Sequence, residues 1–136
     1  MKKIILIIAF LPLLYACKKG CTDSNATNYD YDAKKDDKSC EYSIVTFYAK
    51  YSYYNSIPIT KVDISVDGNM IGSATAFFPN GPGNCSATGT VSYNFQSGKS
   101  VDWNSTIYLS SGATLLGSGT VSPNSSLECI KVCVTN

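Results

Sequence analysis

Six cysteines, a dense run of acid and amide side chains between positions 23 and 37, and ten tyrosines are the residues of this chain best equipped for chemistry. Cysteine can be acylated, oxidised to a disulfide or used as a nucleophile. Closely spaced Asp and Asn supply the hard oxygens that Ca2+ prefers, and tyrosine faces suit sugar rings and protein partners. Histidine is absent, which removes the usual general base, every Ser-His-Asp or Cys-His arrangement and the commonest transition-metal ligand. Arginine is absent too, and bidentate recognition of carboxylate or phosphate goes with it. The formal charge of +1 leaves no basic excess to neutralise a phosphate backbone, so nucleic acid is not an expected partner. Asp63, Asp67 and Asp102 could form a glycosidase-like pair, but they stand at strand ends and in turns, and the expectation is that the chain is not an enzyme. The glycine-rich loop at 81–83 is followed by neither a helix nor Lys-Ser/Thr, so it does not read as a phosphate cradle.

The chain opens with Lys2 and Lys3 followed by an apolar run of eleven residues, Ile4 to Leu14. A helix needs ~20 such residues to cross a bilayer, whereas a basic start, a short apolar stretch and a small residue before a cut make a secretory signal. Leu14-Tyr15-Ala16-Cys17 resembles the lipobox of bacterial lipoproteins, Leu-x-Ala/Gly-Cys. The resemblance implies cleavage of residues 1–16, a diacylglyceryl thioether on Cys17 and an acylated amine, with Lys18 at the next position directing the product to the outer membrane. One acyl chain, at ~0.8 kcal/mol per buried CH2, holds a protein only marginally, while two or three anchor it stably. Which face of that membrane the protein occupies stays open. Residues 17–20 are then a tether, and the three residues after Cys17 reach at most ~10 Å.

Residues 21–40 are almost without apolar side chains and cannot build a core of their own. A covalent staple is the remedy for so small a unit, and closing Cys21 to Cys40 would stabilise it by ~3 kcal/mol in the chain-entropy account. Gly20, Cys21, Thr22, Asp23, Ala26, Asn28, Tyr29, Asp30, Ala33, Asp36, Asp37, Ser39 and Cys40 match a pattern. It resembles a short Cys-bounded module that recurs in secreted bacterial surface proteins, with Lys38 standing where that family has Gly. Asp23, Asn28, Asp30, Asp36 and Asp37 are the candidate ligands for Ca2+. The Gly and Glu that an EF-hand needs at loop positions six and twelve are missing, and the competing reading is a solvated loop of Asx turns.

These features must be carried by the elements that follow. From Glu41 the chain turns to Tyr, Val, Ile, Thr and Ser in period two. Tyr42 to Tyr54 reads as one long strand, bent or bulged, with Val45, Phe47, Ala49, Tyr51 and Tyr53 on one face. Tyr42, Ile44, Tyr48, Lys50 and Tyr54 fall on the other. Val62 to Val66 and Met70 to Phe77 flank Asp67-Gly68, the strongest short hairpin signal. Thr88 to Phe95, Val101 to Leu109, Thr114 to Val121 and Leu127 to Val134 complete about seven strands. The expected fold of residues 41–136 is an all-β antiparallel sandwich, immunoglobulin-like or transthyretin-like, with a small barrel as the alternative and the disulfide-closed module at its N-terminal side. Val62 to Gly68 with Ile71-Gly72 is similar to PEGA-type surface domains.

Cys129 and Cys133, four apart on one strand, are ~13 Å apart at 3.3 Å per residue, too far to bridge. With Cys17 acylated, as the resemblance implies, and Cys21 closed to Cys40, one of them is expected to pair with Cys85, with Cys129 favoured because it opens the last strand, and Cys133 left as the odd thiol. Tyr42, Tyr48 and Tyr54 are the candidate binding residues, while Trp103 aligns with core positions. The expected function is that of a lipid-anchored, non-catalytic interaction or accessory module of the cell envelope. Its partners would be the membrane and an outer-membrane protein. The alternative is a carbohydrate-binding or adhesive surface lipoprotein that uses exposed tyrosines.

Overall fold

The computed structural model describes residues 17–126 and 129–135; the proposed signal segment, Leu127 and Glu128 lie outside the described residues. Among the described residues ten strands follow one another without a helix: β1 Lys19–Gly20, β2 Lys35–Asp36, β3 Ile44–Tyr48, β4 Tyr53–Tyr54, β5 Ile57–Val66, β6 Asn69–Ala74, β7 Val91–Asn94, β8 Val101–Leu109, β9 Thr114–Val121 and β10 Ile130–Cys133. Leaving aside the two-residue strands β1, β2 and β4, each of the remaining seven overlaps one of the seven segments expected from the alternation; five lie inside it, while β6 starts one residue early and β5 starts at Ile57, five residues before the expected Val62.

Turn chemistry sets most of the register. Asp67 and Gly68 take φ of 47° and 79°, the left-handed pair that a two-residue hairpin with the right twist requires, and they join β5 to β6. Gly112, at φ 86°, ends the β8–β9 turn, where the Leu109 N–H donates to the Ala113 carbonyl at 2.9 Å. From there β8 and β9 pair without a slip, Tyr108 opposite Thr114 through Val101 opposite Val121.

The strands form two main sheets. One has the order β10-β3-β7; the other runs β4-β5-β8-β9, with β6 also paired to β5. Their facing residues make a single apolar core in which Val45, Phe47, Val62 and Ile64 are wholly buried. Each such side chain contributes ~1.5–3 kcal/mol by leaving water. Phe47 of the smaller sheet meets Trp103 of the larger with ring centroids 6.0 Å apart, and the buried Ser105 hydroxyl donates across the gap to the Val134 carbonyl at 3.2 Å.

Two expectations need correction. The sandwich is not wholly antiparallel, since β10 runs parallel to β3, Ile130 opposite Val45 and Cys133 opposite Tyr48. Nor is 42–54 one strand. Val45, Phe47 and Ala49 point inward as the period demands, but after Ala49 the chain leaves the smaller sheet and β4 joins the larger one. The crossing is held where the Lys50 N–H donates to the Thr135 hydroxyl at 2.8 Å. A hairpin then turns through Asn55 and Ser56, at φ 47° and 66°. No glycine marks that turn, which is why alternation alone runs the strand on.

Both disulfides favoured from sequence are present, Cys21–Cys40 with Cα atoms 4.8 Å apart and Cys85–Cys129 with Cα atoms 5.6 Å apart. Cys17 is exposed and Cys133 half-buried, both as free thiols.

Candidate functional site

The larger sheet is broader than the smaller one that covers it, and this mismatch leaves an apolar groove at one end of the sandwich. Its floor is Ile59 of β5, Ile107 of β8 and its ladder partner Leu115 of β9, and Val134 and Thr135 close one side. The crossing between the sheets and the hairpin after it bring up Tyr51, Tyr53 and Tyr54, which are 49%, 61% and 46% exposed. The cavity measures about 380 Å3, and no charged side chain lines it. At its margin the Lys50 ammonium lies 5.1 Å from the centre of the Tyr51 ring. A hydrogen bond with Tyr51 and the charge beside it hold Lys50 protonated above the ordinary lysine range. Aromatic faces around an uncharged apolar floor can stack on a sugar ring or take up apolar side chains of a polypeptide.

The N-terminal segment sits at the opposite end. The Asn25 amide donates to the Gly98 carbonyl at 3.1 Å, and the Tyr42 hydroxyl donates to the Asp23 carboxylate at 3.0 Å. The contact is close at Gly98, where a Cβ would lie 2.3 Å from an Asp23 oxygen and the carboxylate would have to move aside. Gly98 precedes β8, whereas the groove opens around Ile107, six residues beyond Val101. At ~3.3 Å per residue that is ~20 Å along the strand. Burial, and then the hydrogen bond and charge of Asp23, push the Tyr42 hydroxyl above the ordinary tyrosine range.

The proposed calcium ligands do not converge. Asp30 is ion-paired with Lys18 at 2.8 Å, which with the hydrogen bond to Lys18 as the main cause holds its carboxyl below the usual range. Asp36 and Asp37 each accept a main-chain N–H two residues on, from Lys38 and Ser39, at 2.9 and 3.0 Å. Asn28 donates to the Ser39 carbonyl at 2.6 Å and accepts from the Glu41 N–H at 2.8 Å. Asp23 caps the Asn25 N–H at 2.9 Å as well as serving Tyr42. Among the described residues no three His, Cys, Asp or Glu side chains gather as a metal site. The oxygens bond the local backbone, as Asx turns do, and Lys38 takes the left-handed conformation, φ 65°, without being glycine.

Nor do the candidate binding tyrosines share a surface. Tyr42 is committed to Asp23, and Tyr48 lies half-buried beside Gly81 and Cys133, its hydroxyl pushed up by burial and by that thiol. Only Tyr54 reaches the groove. Tyr51 and Tyr53, placed by alternation on the core face of a long strand, are the groove residues that the sequence reading missed. The Asn55-Ser56 pair was the available signal, since Asn tolerates a positive φ. The carboxylates Asp63, Asp67 and Asp102 serve structure. Asp63 joins Lys61 at 3.0 Å and accepts from Ser73. Asp67 accepts the Asp102 N–H at 3.0 Å, and Asp102 the Thr120 hydroxyl at 2.7 Å.

No family model matches the chain, and searches of curated proteins and of solved structures found no match either.

Proposed function

We propose that the chain is a cell-envelope lipoprotein, anchored through acylated Cys17, that acts as a non-catalytic interaction module of an outer-membrane assembly. The observation that carries this reading is the polarity of the fold. Lys18 to Cys40, the part next to the lipobox cysteine, packs at the Gly98 end, and the tyrosine groove opens at the far end. A lipid at Cys17 would set the first against the headgroups and turn the second toward neighbours. Residues 21–40 then serve as a disulfide-closed spacer under an immunoglobulin-like or transthyretin-like sandwich. A missing His and carboxylates engaged in structural bonds favour binding over catalysis.

Intact-mass analysis of protein extracted from membranes tests the anchor. The expected mass begins at Cys17 and carries two or three acyl chains, and Cys17→Ser protein should leave the membrane fraction. An unmodified thiol on protein recovered from the medium overturns the proposal. Copurification with an outer-membrane protein after mild detergent extraction tests the interaction role.

The exposed tyrosines around an uncharged floor also favour a second reading, binding of a glycan by ring stacking. Glycan-array binding that disappears in Tyr53→Ala would select it over a protein partner.

A further inference from the structure

Among the described residues β9 is the outermost strand of the larger sheet and pairs with β8 alone. Because Leu109 bonds to Ala113 at the hairpin, alternation along the ladder turns the main-chain groups of Leu115, Gly117, Gly119 and Val121 toward β8. Those of Thr114, Leu116, Ser118 and Thr120 face outward. Eight residues long, β9 carries no charge, no proline and no slip against β8, so it lacks the devices that normally guard an edge. The other edges are shorter or occupied. β7 and β10 have four residues each, with Lys131 exposed in β10, and beyond β6 the Thr75 N–H bonds to the Gly89 carbonyl at 3.0 Å.

The inner face of β9 carries no side chain of its own at its glycines, and Trp103 and Ser105 of β8 pack across them. A Cβ on Gly119 would lie 2.9 Å from the Trp103 ring packed across it, and Gly117 lines the groove beside Leu115. An edge of this kind presents free donors and acceptors at two-residue spacing next to an apolar trough, and an extended strand is the one partner shape that satisfies both.

We infer that β9 accepts an extended, uncharged segment of a partner polypeptide as an added strand, with alternate side chains of that segment entering the groove beside Leu115 and Gly117. This rests on reading the groove as an interaction surface. A second copy of the chain fits less well. Antiparallel pairing of two β9 strands sends the two Gly98 ends in opposite directions, which two chains anchored in one bilayer do not allow.

The test uses the full chain in detergent and a synthetic peptide of alternating Thr and Val with Lys at each end, followed by residue-resolved amide hydrogen exchange. Peptide should slow exchange at Thr114, Leu116, Ser118 and Thr120 by at least tenfold and leave Leu115, Gly117 and Gly119 unchanged. Ser118→Pro removes an outward N–H that β8 does not use and leaves the groove lining untouched, at a position where an edge strand tolerates proline. It should abolish the protection while the Trp103 fluorescence and melting curve stay as in the parent. The same peptide N-methylated on the bonding edge should give no protection. Three results overturn the inference: no protection at saturating peptide, equal protection by the N-methylated peptide, or protection that rises with protein concentration alone, which would make a second copy the occupant. If any of these occurs while the mass at Cys17 still shows lipid, strand addition falls and the anchored module stands.

Discussion

Residues 21–40 and the two-sheet body that follows them are held by different physics. Within the segment only Cys21 and Ala26 are buried apolar groups, and its order comes from one disulfide, an ion pair and a series of carboxylate and amide caps. The body has fifteen buried apolar residues in one cluster spanning both sheets. Burial is non-directional and scales with area, whereas caps and covalent links act only where they are placed. The body should therefore unfold as a unit, and the segment should be separable from it by point changes that the body does not feel.

The largest effect expected is in the body. Phe47 is wholly buried and touches Trp103 across the sheets, so Phe47→Ala should cost ~3–5 kcal/mol, read as a lower urea midpoint by Trp103 fluorescence. Next comes Cys21→Ser with Cys40→Ser, which releases the segment's loop and should cost ~3 kcal/mol there. In that variant limited proteolysis should cut between 30 and 38 while the Trp103 transition stays within ~0.5 kcal/mol of the parent. Equal loss at both places would show that the two regions fold as one. Gly98→Ala attacks the joint itself. Asp23 must yield to the new methyl, so the Asn25 amide should exchange faster at a cost of ~1 kcal/mol, with the disulfide and the core intact.

How far each region can be read from sequence follows from the same difference. Val45, Phe47 and Ala49, or Val62, Ile64 and Val66, announce their face because burial imposes period two on the side chains, and Asp67-Gly68 announces its turn because only certain residues accept positive φ. Cysteine spacing and strand reach were enough to favour both pairings that the structure contains. The groove was not legible. It depends on one sheet being wider than the other and on a chain crossing at Lys50 to Ser52, neither of which leaves a period. Nor does a parallel β3–β10 pair differ in its alternation from an antiparallel one. The acid-rich run was ambiguous for a related reason: the same Asp and Asn side chains suit a hard cation or their own backbone, and only coordinates tell whether they converge.

Acid should act on the segment. Hydrogen bonding to Lys18 keeps Asp30 below the ordinary carboxylate range, and Ser39 does the same for Asp37. A carboxyl lowered in the folded state stabilises fully above its unfolded value of ~3.9, and that contribution fades as pH falls through the folded value. The Lys34 and Asp37 N–H groups, bonded to the Lys18 and Gly20 carbonyls at 2.9 and 3.3 Å, should accordingly open more often below pH ~4, seen in amide exchange corrected for intrinsic rate. Asp63, pushed up by burial but brought below the ordinary range by Ser73 and Lys61, gives the body a weaker response of the same sign.

The smallest and most local effect lies at the other end of the pH scale, at Tyr42. Burial first, and then the hydrogen bond and charge of Asp23, disfavour its phenolate. A group whose folded value is raised contributes in full below its unfolded value of ~10 and loses that contribution as pH climbs through the folded one. Tyr42 should thus ionise later than a free tyrosine, and its ionisation should release Asp23 and speed exchange at Asn25 while β8 stays protected. Asp23→Asn removes the charge and retains an acceptor, so the Tyr42 titration should move back only part of the way toward the ordinary value, the share due to burial remaining. The ring signals of Tyr42 followed by NMR against pH decide it. A midpoint at the free-tyrosine value in the parent would mean that the Asp23 contact is not kept in solution, and the two regions would then be joined by the chain alone.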